Sequence, residues 1–206
     1  MLWQRKSRIS LCNPILIAAI LVLLFLKLNG LDVREYQADI GKISWLMTPA
    51  TISLAIPMYE KIQDLRKNMK AILMGIVGGT LGCLMFLLAF TSIVGLEHSL
   101  TVSLLPKSVT TAIGVPLSEL SGGIPSITTA AIILTGIIAN VLSSYLFSLF
   151  RLKEKSAQGV ALGTSGHIIA TAAANELDPL TGVVSSFSLV VSGLLTAILF
   201  PIVLTF

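Results

Sequence analysis

Hydrophobic residues in this chain come in long continuous runs, not in the alternating pattern of half-buried strands. The run ILIAAILVLLFL at 15–26 is one example. Three charge-free stretches follow it, at 71–96, 120–150 and 179–206. At ~1.5 Å per residue, each of these three could cross the ~30 Å of a bilayer's hydrocarbon as a helix. The pattern predicts an all-α fold, a polytopic membrane helix bundle.

Composition supports insertion into a lipid bilayer. Charged residues make up 12% of the chain and hydrophobic residues 54%, whereas soluble domains carry about 25% charged residues. The net charge of +4 does not indicate a nucleic-acid partner, because the basic residues cluster at the ends of the apolar runs. The two cysteines, Cys12 and Cys83, have no companion at a metal-ligand spacing. We expect no enzyme, metal or cofactor.

The chain is expected to cross the membrane about five times. The crossings are predicted at about 13–28, 43–59, 71–95 and 127–150, and in the run after Asp178. Basic residues cluster before the first crossing, between the second and third, and after the fourth. By the positive-inside rule these clusters are cytoplasmic, which places the N-terminus in the cytoplasm and the loop 97–99 outside.

A polar segment at 104–120 interrupts the apolar runs with the sequence LLPKSVTT and, later, Glu119. Given the topology above, it must start and finish outside, so we expect a re-entrant or broken element. Such backbone is tolerated only where protein or a water-filled cavity surrounds it, and an intramembrane ionisable group indicates function. Two alternatives stay open: Lys107 and Glu119 cap helix ends at the interface, or the polar elements cross the membrane as broken helices.

A second polar segment, GVALGTSGHIIATAAANEL, occupies 159–177. Small residues in it permit close helix approach. Its polar positions are Thr164, Ser165, His167, Thr171, Asn175 and Glu176. A lone histidine is more often a satisfied buried residue than a ligand, but polar neighbours on both sides favour a site here.

The two polar segments have the same order of features. Aligning Ser108 with Ser165 also aligns Glu119 with Glu176, and a long apolar run follows each acid. If each unit holds one non-crossing element and one crossing helix, the two units are inverted repeats, as in many secondary transporters. The prediction is one membrane domain, 1–206, with N-terminal spans (1–103), a first unit (104–150) and a second unit (159–206).

Several motifs resemble those of the LrgB/CidB family, and the resemblance covers essentially the whole chain. They are TPATISLAIPMY at 48–59, LLPKSVTT at 104–111, GGIPSIT at 122–128 and ALGTSGHIIATAAANEL at 161–177. The resemblance implies a multi-pass protein of the bacterial plasma membrane. Its plant relatives form part of the plastid glycolate/glycerate translocator.

The resemblance implies two descriptions of the function, control of cell lysis and transport. Bacterial members are described as antiholin-like or holin-like proteins that act with a small LrgA/CidA-like membrane protein on murein hydrolase activity and cell lysis. Plant and some bacterial relatives are associated with transport of small monocarboxylates such as pyruvate, glycolate or glycerate. A homo-oligomer or hetero-oligomer in the lipid bilayer is implied in either case.

As a transporter, the chain would bind a carboxylate through an ammonium and hydroxyl groups, which complement that anion. The candidate substrate-binding residues are Lys107, Ser108, Thr110, Thr111, Thr164, Ser165, Thr171 and Asn175. Histidine changes charge between pH 5 and 8, which suits proton coupling. The candidates for that role are Glu119, His167 and Glu176.

The alternative is a lysis-regulating interaction protein with no transport activity of its own. Such a protein needs an exposed face of small residues for a partner helix. Spacings of three and four residues put four glycines on one face of the predicted crossing at 71–95: Gly75, Gly78, Gly79 and Gly82. Tight internal packing would use the same face.

Overall fold

The computed structural model describes residues 14–32, 36, 40, 49, 52 and 55–204. The chain separates into two compact units, 1–60 and 61–206, and each is described by itself. The crossing predicted at 43–59 lies largely outside the described residues. Within the described residues the regular structure is α-helical, which confirms the predicted all-α class.

The first unit contains two described helices, α1 (Pro14–Leu28) and α2 (Ala55–Glu60). The Phe25 carbonyl oxygen, near the end of α1, accepts from the backbone N–H of Asn29 at 3.1 Å and from its side-chain amide at 2.8 Å. With 15 residues, α1 is about 22 Å long, shorter than the hydrocarbon layer that the predicted first crossing must span.

The second unit holds seven described helices, three of which are long and apolar enough to cross a membrane. The seven are α3 (Ile62–Lys67), α4 (Met69–Val94), α5 (His98–Leu104), α6 (Thr111–Leu120), α7 (Pro125–Leu149), α8 (Lys155–Leu177) and α9 (Pro179–Val203). The three spanning-length helices are α4, α7 and α9. They correspond to the three charge-free stretches and confirm the prediction of a polytopic membrane bundle.

The spanning helices α4 and α9 run in the same direction. Ile72 and Ile76, near the start of α4, pack with Val183 and Val184 near the start of α9. Leu84 and Leu87, further along α4, pack with Phe200 near the end of α9. We call the end at which both helices begin the basic end, because the exposed basic residues of 66–70 and 151–155 lie there; the other is the opposite end.

Helix α8 folds back on itself instead of crossing the unit. A straight helix of its 23 residues would be about 34 Å long, yet Lys155 Nζ at its start lies 2.6 Å from Asp178 Oδ2, just past its end. The reversal is at His167, whose φ of 43° and ψ of −138° are not helical. The first arm (155–166) and the return arm (168–177) therefore both reach the basic end.

The segment that contains α5 and α6 also turns within the unit. The backbone N–H of Ile124, just before α7, donates to Ser103 Oγ of α5 at 2.7 Å. Thr128 Oγ1 of α7 donates to Ser118 Oγ of α6 at 2.7 Å. Both short helices therefore lie near the start of α7, at the opposite end. The turn between them, 105–110, is non-helical over part of its length and reaches the middle of α4.

The turns lie where inverted repeats would put them, one entering from each end of the unit. Each predicted repeat also packs against a glycine in the spanning helix of the other repeat: Gly136 of α7 faces His167 at the second turn, and Gly193 of α9 faces Ile113 of α6, which follows the first turn. Inverted-repeat symmetry, re-entry into a bilayer and a single domain over 1–206 stay predictions, and this reciprocal packing supports the first of them.

Close packing of α8 against α9 depends on glycine. A Cβ at Gly159 would overlap the backbone of Thr181, and one at Gly163 would overlap the backbone of Ser185. The buried face of α9 is rich in hydroxyls, and several of them donate to carbonyls one turn back in the same helix, as Ser188 does to Val184 O at 2.7 Å. Such bonds satisfy a hydroxyl locally, so it can be buried without a second helix to bind.

The glycine face of α4 divides between internal packing and open space. A Cβ at Gly75 would touch Val160, and a Cβ at Gly79 would touch Thr164, both on the first arm of α8. A Cβ at Gly78 or Gly82 would have no atom of another helix within 4 Å among the described residues. Internal packing therefore explains two of the four glycines, and Gly78 and Gly82 stay available to a partner.

Asp178 joins the two ends of α8 to the start of α9. Its Oδ1 accepts from the Leu180 N–H at 2.9 Å as an N-cap, and its Oδ2 accepts from Lys155. The hydrogen bond from Lys155 holds the pKa of Asp178 below its usual value. A carboxylate whose pKa is lowered on folding stabilises the fold above its unfolded pKa, and this stabilisation is lost as the pH falls through the folded pKa.

We expect D178N to unfold at a lower temperature than the wild type at neutral pH, because asparagine retains the cap and loses the ion pair. D178A should lose a further ~1 kcal/mol, the usual contribution of an N-cap. Thermal unfolding in detergent measures both variants. The difference between wild type and D178N should shrink as the solution is acidified, and a difference that is constant with pH would contradict this role of the carboxylate.

Candidate functional site

A pocket of about 580 Å³ lies midway between the two ends of the second unit and is open at the side, where Ile138, Leu142 and Leu146 are 38–46% exposed. We call it the central pocket. It is bounded by α4, the 105–110 turn, α7 and the first arm of α8. Its polar lining is Cys83, Lys107, Ser108, Thr135, Thr164 and Ser165. Four residues predicted from the two separate polar segments, Lys107, Ser108, Thr164 and Ser165, are thus brought to one pocket.

Lys107 supplies the positive charge of the central pocket. Its Nζ lies 3.1 Å from Ser108 Oγ and 3.5 Å from Cys83 Sγ, and the two acceptors lie 3.4 Å from each other. Both partners are neutral, and no carboxylate forms an ion pair with Lys107 in the described part of the chain. The ammonium is hydrogen-bonded, but its charge is not compensated.

The ammonium lies deep between the ends of the unit. Its neighbour Cys83 is about 21 Å from the start of α4 and about 16 Å from its end, at ~1.5 Å per residue. A charge at this depth of a membrane is costly and is found facing the protein interior or a water-filled cavity. This position, far from either end of α4, does not support the interpretation of Lys107 as a cap at a helix end.

The hydroxyls of the pocket differ in their freedom to bind an anion. Thr164 Oγ1 donates to the Val160 carbonyl at 2.7 Å, and Ser165 Oγ donates to the Ala161 carbonyl at 2.6 Å. Ser108 Oγ accepts from Lys107, so its own proton can point elsewhere. A carboxylate could therefore take hydrogen bonds from Lys107 and Ser108 at once, whereas the other two hydroxyls would have to rotate first.

The remaining predicted binding residues do not line the central pocket. Thr110 is the N-cap residue of α6, where its carbonyl accepts the Gly114 N–H at 2.8 Å, and Thr111 is the first residue of that helix. Asn175 is exposed near the end of α8 and packs against Gly182. Their positions suit helix ends and the contact between α8 and α9.

Thr171 supports the reversal in α8. It is buried, and its Oγ1 donates to the His167 carbonyl at 2.8 Å while lying 2.8 Å from Ser185 Oγ of α9. The bond holds the carbonyl of the non-helical residue, and the second hydroxyl ties this point to the neighbouring helix. Thr171 thus positions the turn, and the geometry gives it no place in the pocket.

His167 is buried at the turn, with its side chain toward α7. Its Nε2 lies 2.8 Å from the Ile132 carbonyl oxygen, and its Nδ1 has no partner among the described residues. Because a carbonyl can only accept, Nε2 carries the proton of the neutral ring, and Nδ1 is the nitrogen left to gain one. Ser165, two residues earlier, and Thr135, next to the Gly136 that faces the ring, line the central pocket, whereas His167 does not.

The two glutamates predicted for proton coupling lie away from the pocket. Glu119 is exposed near the end of α6, at the opposite end, and Glu176 is exposed near the end of α8, at the basic end. The structure brings them neither to each other nor to His167. Of the three coupling candidates, His167 is the one at the depth of Lys107.

Residues outside the predicted set complete the site. Cys83 has no companion at a metal-ligand spacing, and a lone cysteine in an apolar run gives no other signal. Thr135 could have been found from the repeated hydroxyl–glycine pair at the middle of each long run. Beneath Ser108 a cavity of about 10 Å³ is lined by Thr80, Thr164, Ser192 and Thr196 among others.

The hydroxyl of Thr80 could bind a polar ligand in that small cavity. Its hydroxyl is buried and has no hydrogen-bond partner among the described residues. The volume is at the lower limit for one water molecule. A water there would satisfy both the proton and the lone pairs of the hydroxyl. A cation would satisfy only the lone pairs. It would also be repelled by the ammonium of Lys107, which is hydrogen-bonded to the neighbouring Ser108.

The model of the LrgB-like family matches residues 1–206, the full chain. Proteins named antiholin-like protein LrgB from Bacillus cereus strains B4264 and AH187 and from Bacillus anthracis strain CDC 684 are each 33% identical to it. Each of these matches covers all of this chain and 90% of the relative. No solved structure matches the chain.

We expect G136A to destabilise the protein and displace His167. A Cβ at this position would lie 2.7 Å from His167 Cε1 and 2.9 Å from Ile169 Cδ1, so a neighbour must move. Overpacking of this kind costs about 1–3 kcal/mol. The matched control is G78A, where the methyl group meets open space. Thermal unfolding in detergent compares the two, and equal midpoints would contradict the packing described here.

Proposed function

The chain belongs to the LrgB-like family, and from this premise we propose that it carries small monocarboxylates across the bacterial plasma membrane. The observation behind the proposal is the ammonium of Lys107, which lies at mid-depth in the central pocket with neutral partners. An anion that entered the pocket would neutralise this charge. Charge-assisted hydrogen bonds from an ammonium to a carboxylate are also roughly twice as strong as neutral ones.

The form of the pocket favours a small acid with one carboxylate. Lys107 is the one cation among the residues that line the pocket, so a second carboxylate would have no counter-charge there. The wall formed by Ile138, Leu142 and Leu146 of α7 is apolar and accommodates the body of the acid. Pyruvate, glycolate and glycerate are the substrates we propose to test.

We propose that His167 couples this transport to protons. Its free Nδ1 can gain a proton without loss of the bond from Nε2 to the Ile132 carbonyl. The position behind the pocket lets a protonated ring and a bound carboxylate attract each other. Glu119 and Glu176 have no place in this coupling, because they lie at opposite ends of the unit.

Control of cell lysis would follow from this transport. The relatives from Bacillus carry the name antiholin-like protein, which fits regulation of murein hydrolase activity. We propose that this protein influences those enzymes through carboxylate flux, in a complex with a small LrgA/CidA-like membrane protein. The open positions Gly78 and Gly82 on α4 provide a face to which a partner helix could pack closely.

The same open face supports a second candidate function. A protein that regulated lysis by contact alone would need the Gly78 and Gly82 face and would have no use for an uncompensated lysine at mid-depth. Transport measurements separate the candidates, because only the carrier moves substrate. A correctly folded protein without uptake, tested alone and with its small partner, would favour the contact mechanism.

We expect K107A to abolish saturable uptake of the labelled acids into liposomes under an imposed pH gradient, because no other cation lines the pocket. K67A is the matched control, since Lys67 is exposed outside the spanning helices and pairs with Asp64. Thermal unfolding of both variants in detergent would show that the fold is retained. Normal uptake by K107A would refute the binding role of this lysine.

We expect H167Q to retain uptake driven by a substrate gradient and to lose its acceleration by a proton gradient. The glutamine amide can still donate to the Ile132 carbonyl, but it cannot be protonated in this pH range. Initial uptake rates at a series of external pH values measure the effect. H98Q, at an exposed residue of the opposite end, is the control. An unchanged pH profile in H167Q would remove His167 from the coupling.

A further inference from the structure

A second pocket, of about 450 Å³, leads from the central pocket toward the basic end. We call it the outer groove. It lies between the first half of α4 and the first arm of α8, and Ala71, Gly75 and Ala157 are among its lining residues. Both pockets are lined by Gly79, Ala161 and Thr164. The two pockets are therefore adjacent at these three residues, where Gly79 of α4 packs against Thr164 of α8.

The outer groove ends among polar groups. Asn68, Glu154 and Ser156 line it at the basic end, where α4 and α8 begin. Lys153 and Lys155 are exposed in the same connection. The groove thus joins the pocket around Lys107 to a polar, net basic surface, which attracts anions from solution.

The opposite side of the central pocket is closed. Leu84 and Leu105 line the small cavity beside Ser108, and behind them they form a buried cluster with Leu87, Val102 and Phe200. Each of these five side chains is at most 6% exposed. Side chains packed in this way leave no space for a hydrated anion.

We propose that this structure is the state of the carrier whose substrate site is reached from the basic end and not from the opposite end, with access along the outer groove. The substrate passes along the groove beside Ala157 and Gly75, and then over the contact of Gly79 with Thr164, before it reaches Lys107. The leucine-rich cluster around Phe200 is the barrier to the other side of the membrane. The proposal rests on the proposed carrier function, and it adds the route and the side of access.

Cys83 is a native reporter for this route, because its sulfur lies 3.5 Å from Lys107 Nζ in the central pocket. The full chain with C12S has this thiol alone. Reconstituted in oriented vesicles, it is treated from either side with a membrane-impermeant, anionic methanethiosulfonate. Two reference variants calibrate the sides in a background of C12S and C83S. They are K153C for the basic end and H98C for the opposite end, both at exposed positions.

We expect Cys83 to react from the side on which K153C reacts, and at least about tenfold more slowly from the side of H98C. A tenfold ratio of rates needs a barrier difference of only about 1.4 kcal/mol, so a closed cluster should exceed it readily. Pyruvate, glycolate or glycerate at saturating concentration should slow the labelling, because the acid occupies the same pocket.

A pair of variants tests the outer groove itself. A157L places a larger side chain in the groove without changing the lining of the central pocket, and it should slow both labelling and uptake several-fold. A172L makes the same change at an exposed position of the return arm, outside both pockets, and should alter neither rate. Equal effects of the two variants would exclude the groove as the route.

Other outcomes are equally informative. Equal labelling of Cys83 from both sides, or labelling only from the side of H98C, would overturn the proposed state. Labelling by a lipid-soluble maleimide alone would show that lipid fills the groove, which would also overturn it. One-sided labelling without uptake of any acid would refute the carrier function and leave the geometry of access standing. Uptake that is lost in K107A, together with labelling from both sides, would support the carrier function and refute the proposed geometry of access.

Discussion

Hydrocarbon provides no hydrogen bonds, so a membrane helix can be interrupted at mid-depth only where protein satisfies the freed backbone. The second unit has two places where its helices are interrupted between the ends of the unit, and its packing follows from them. The 105–110 turn closes through its own bonds, such as Lys107 N–H to the Leu104 carbonyl at 3.1 Å. The reversal at His167 depends on its surroundings: Thr171 bonds its carbonyl, and the imidazole bonds the Ile132 carbonyl of α7. A residue with positive φ is strained, and this enclosure holds it in place.

Small residues make that enclosure possible. Gly136 leaves room for the imidazole against α7, and Gly159 and Gly163 let the first arm of α8 lie directly on the backbone of α9. The hydroxyls between these helices are satisfied mainly within their own helix, so close approach does not require a matching partner for each. The result is a polar interior at mid-depth, bordered on one side by the apolar cluster around Phe200. Such an interior can receive an anion that the surrounding lipid would exclude.

The spans could be predicted from the sequence, because charge is excluded from hydrocarbon whatever the fold: α7 and α9 fall within charge-free stretches, and α4 starts two residues before one. Polarity also identified both turning segments. The residue at which α8 reverses could not be predicted, since it is neither glycine nor proline. A reversal also resets the phase of the helix, so spacing could not show that Ser165 lines the pocket while Thr171 lies against α9. The role of Cys83 depends on contact with a distant segment, which its own neighbours in sequence do not indicate.

Charge at mid-depth also fixes the sign of coupling in the proposed carrier. With the pocket empty, Lys107 is one uncompensated cation, and a proton on Nδ1 of His167 would add a second in a medium where like charges repel strongly. A bound carboxylate neutralises the charge of Lys107 and attracts the charge of protonated His167. The anion therefore favours the proton, and by linkage the proton favours the anion to the same extent. Two ligands that assist each other's binding at one site are expected to move together, so this arrangement favours symport of acid and proton over their exchange.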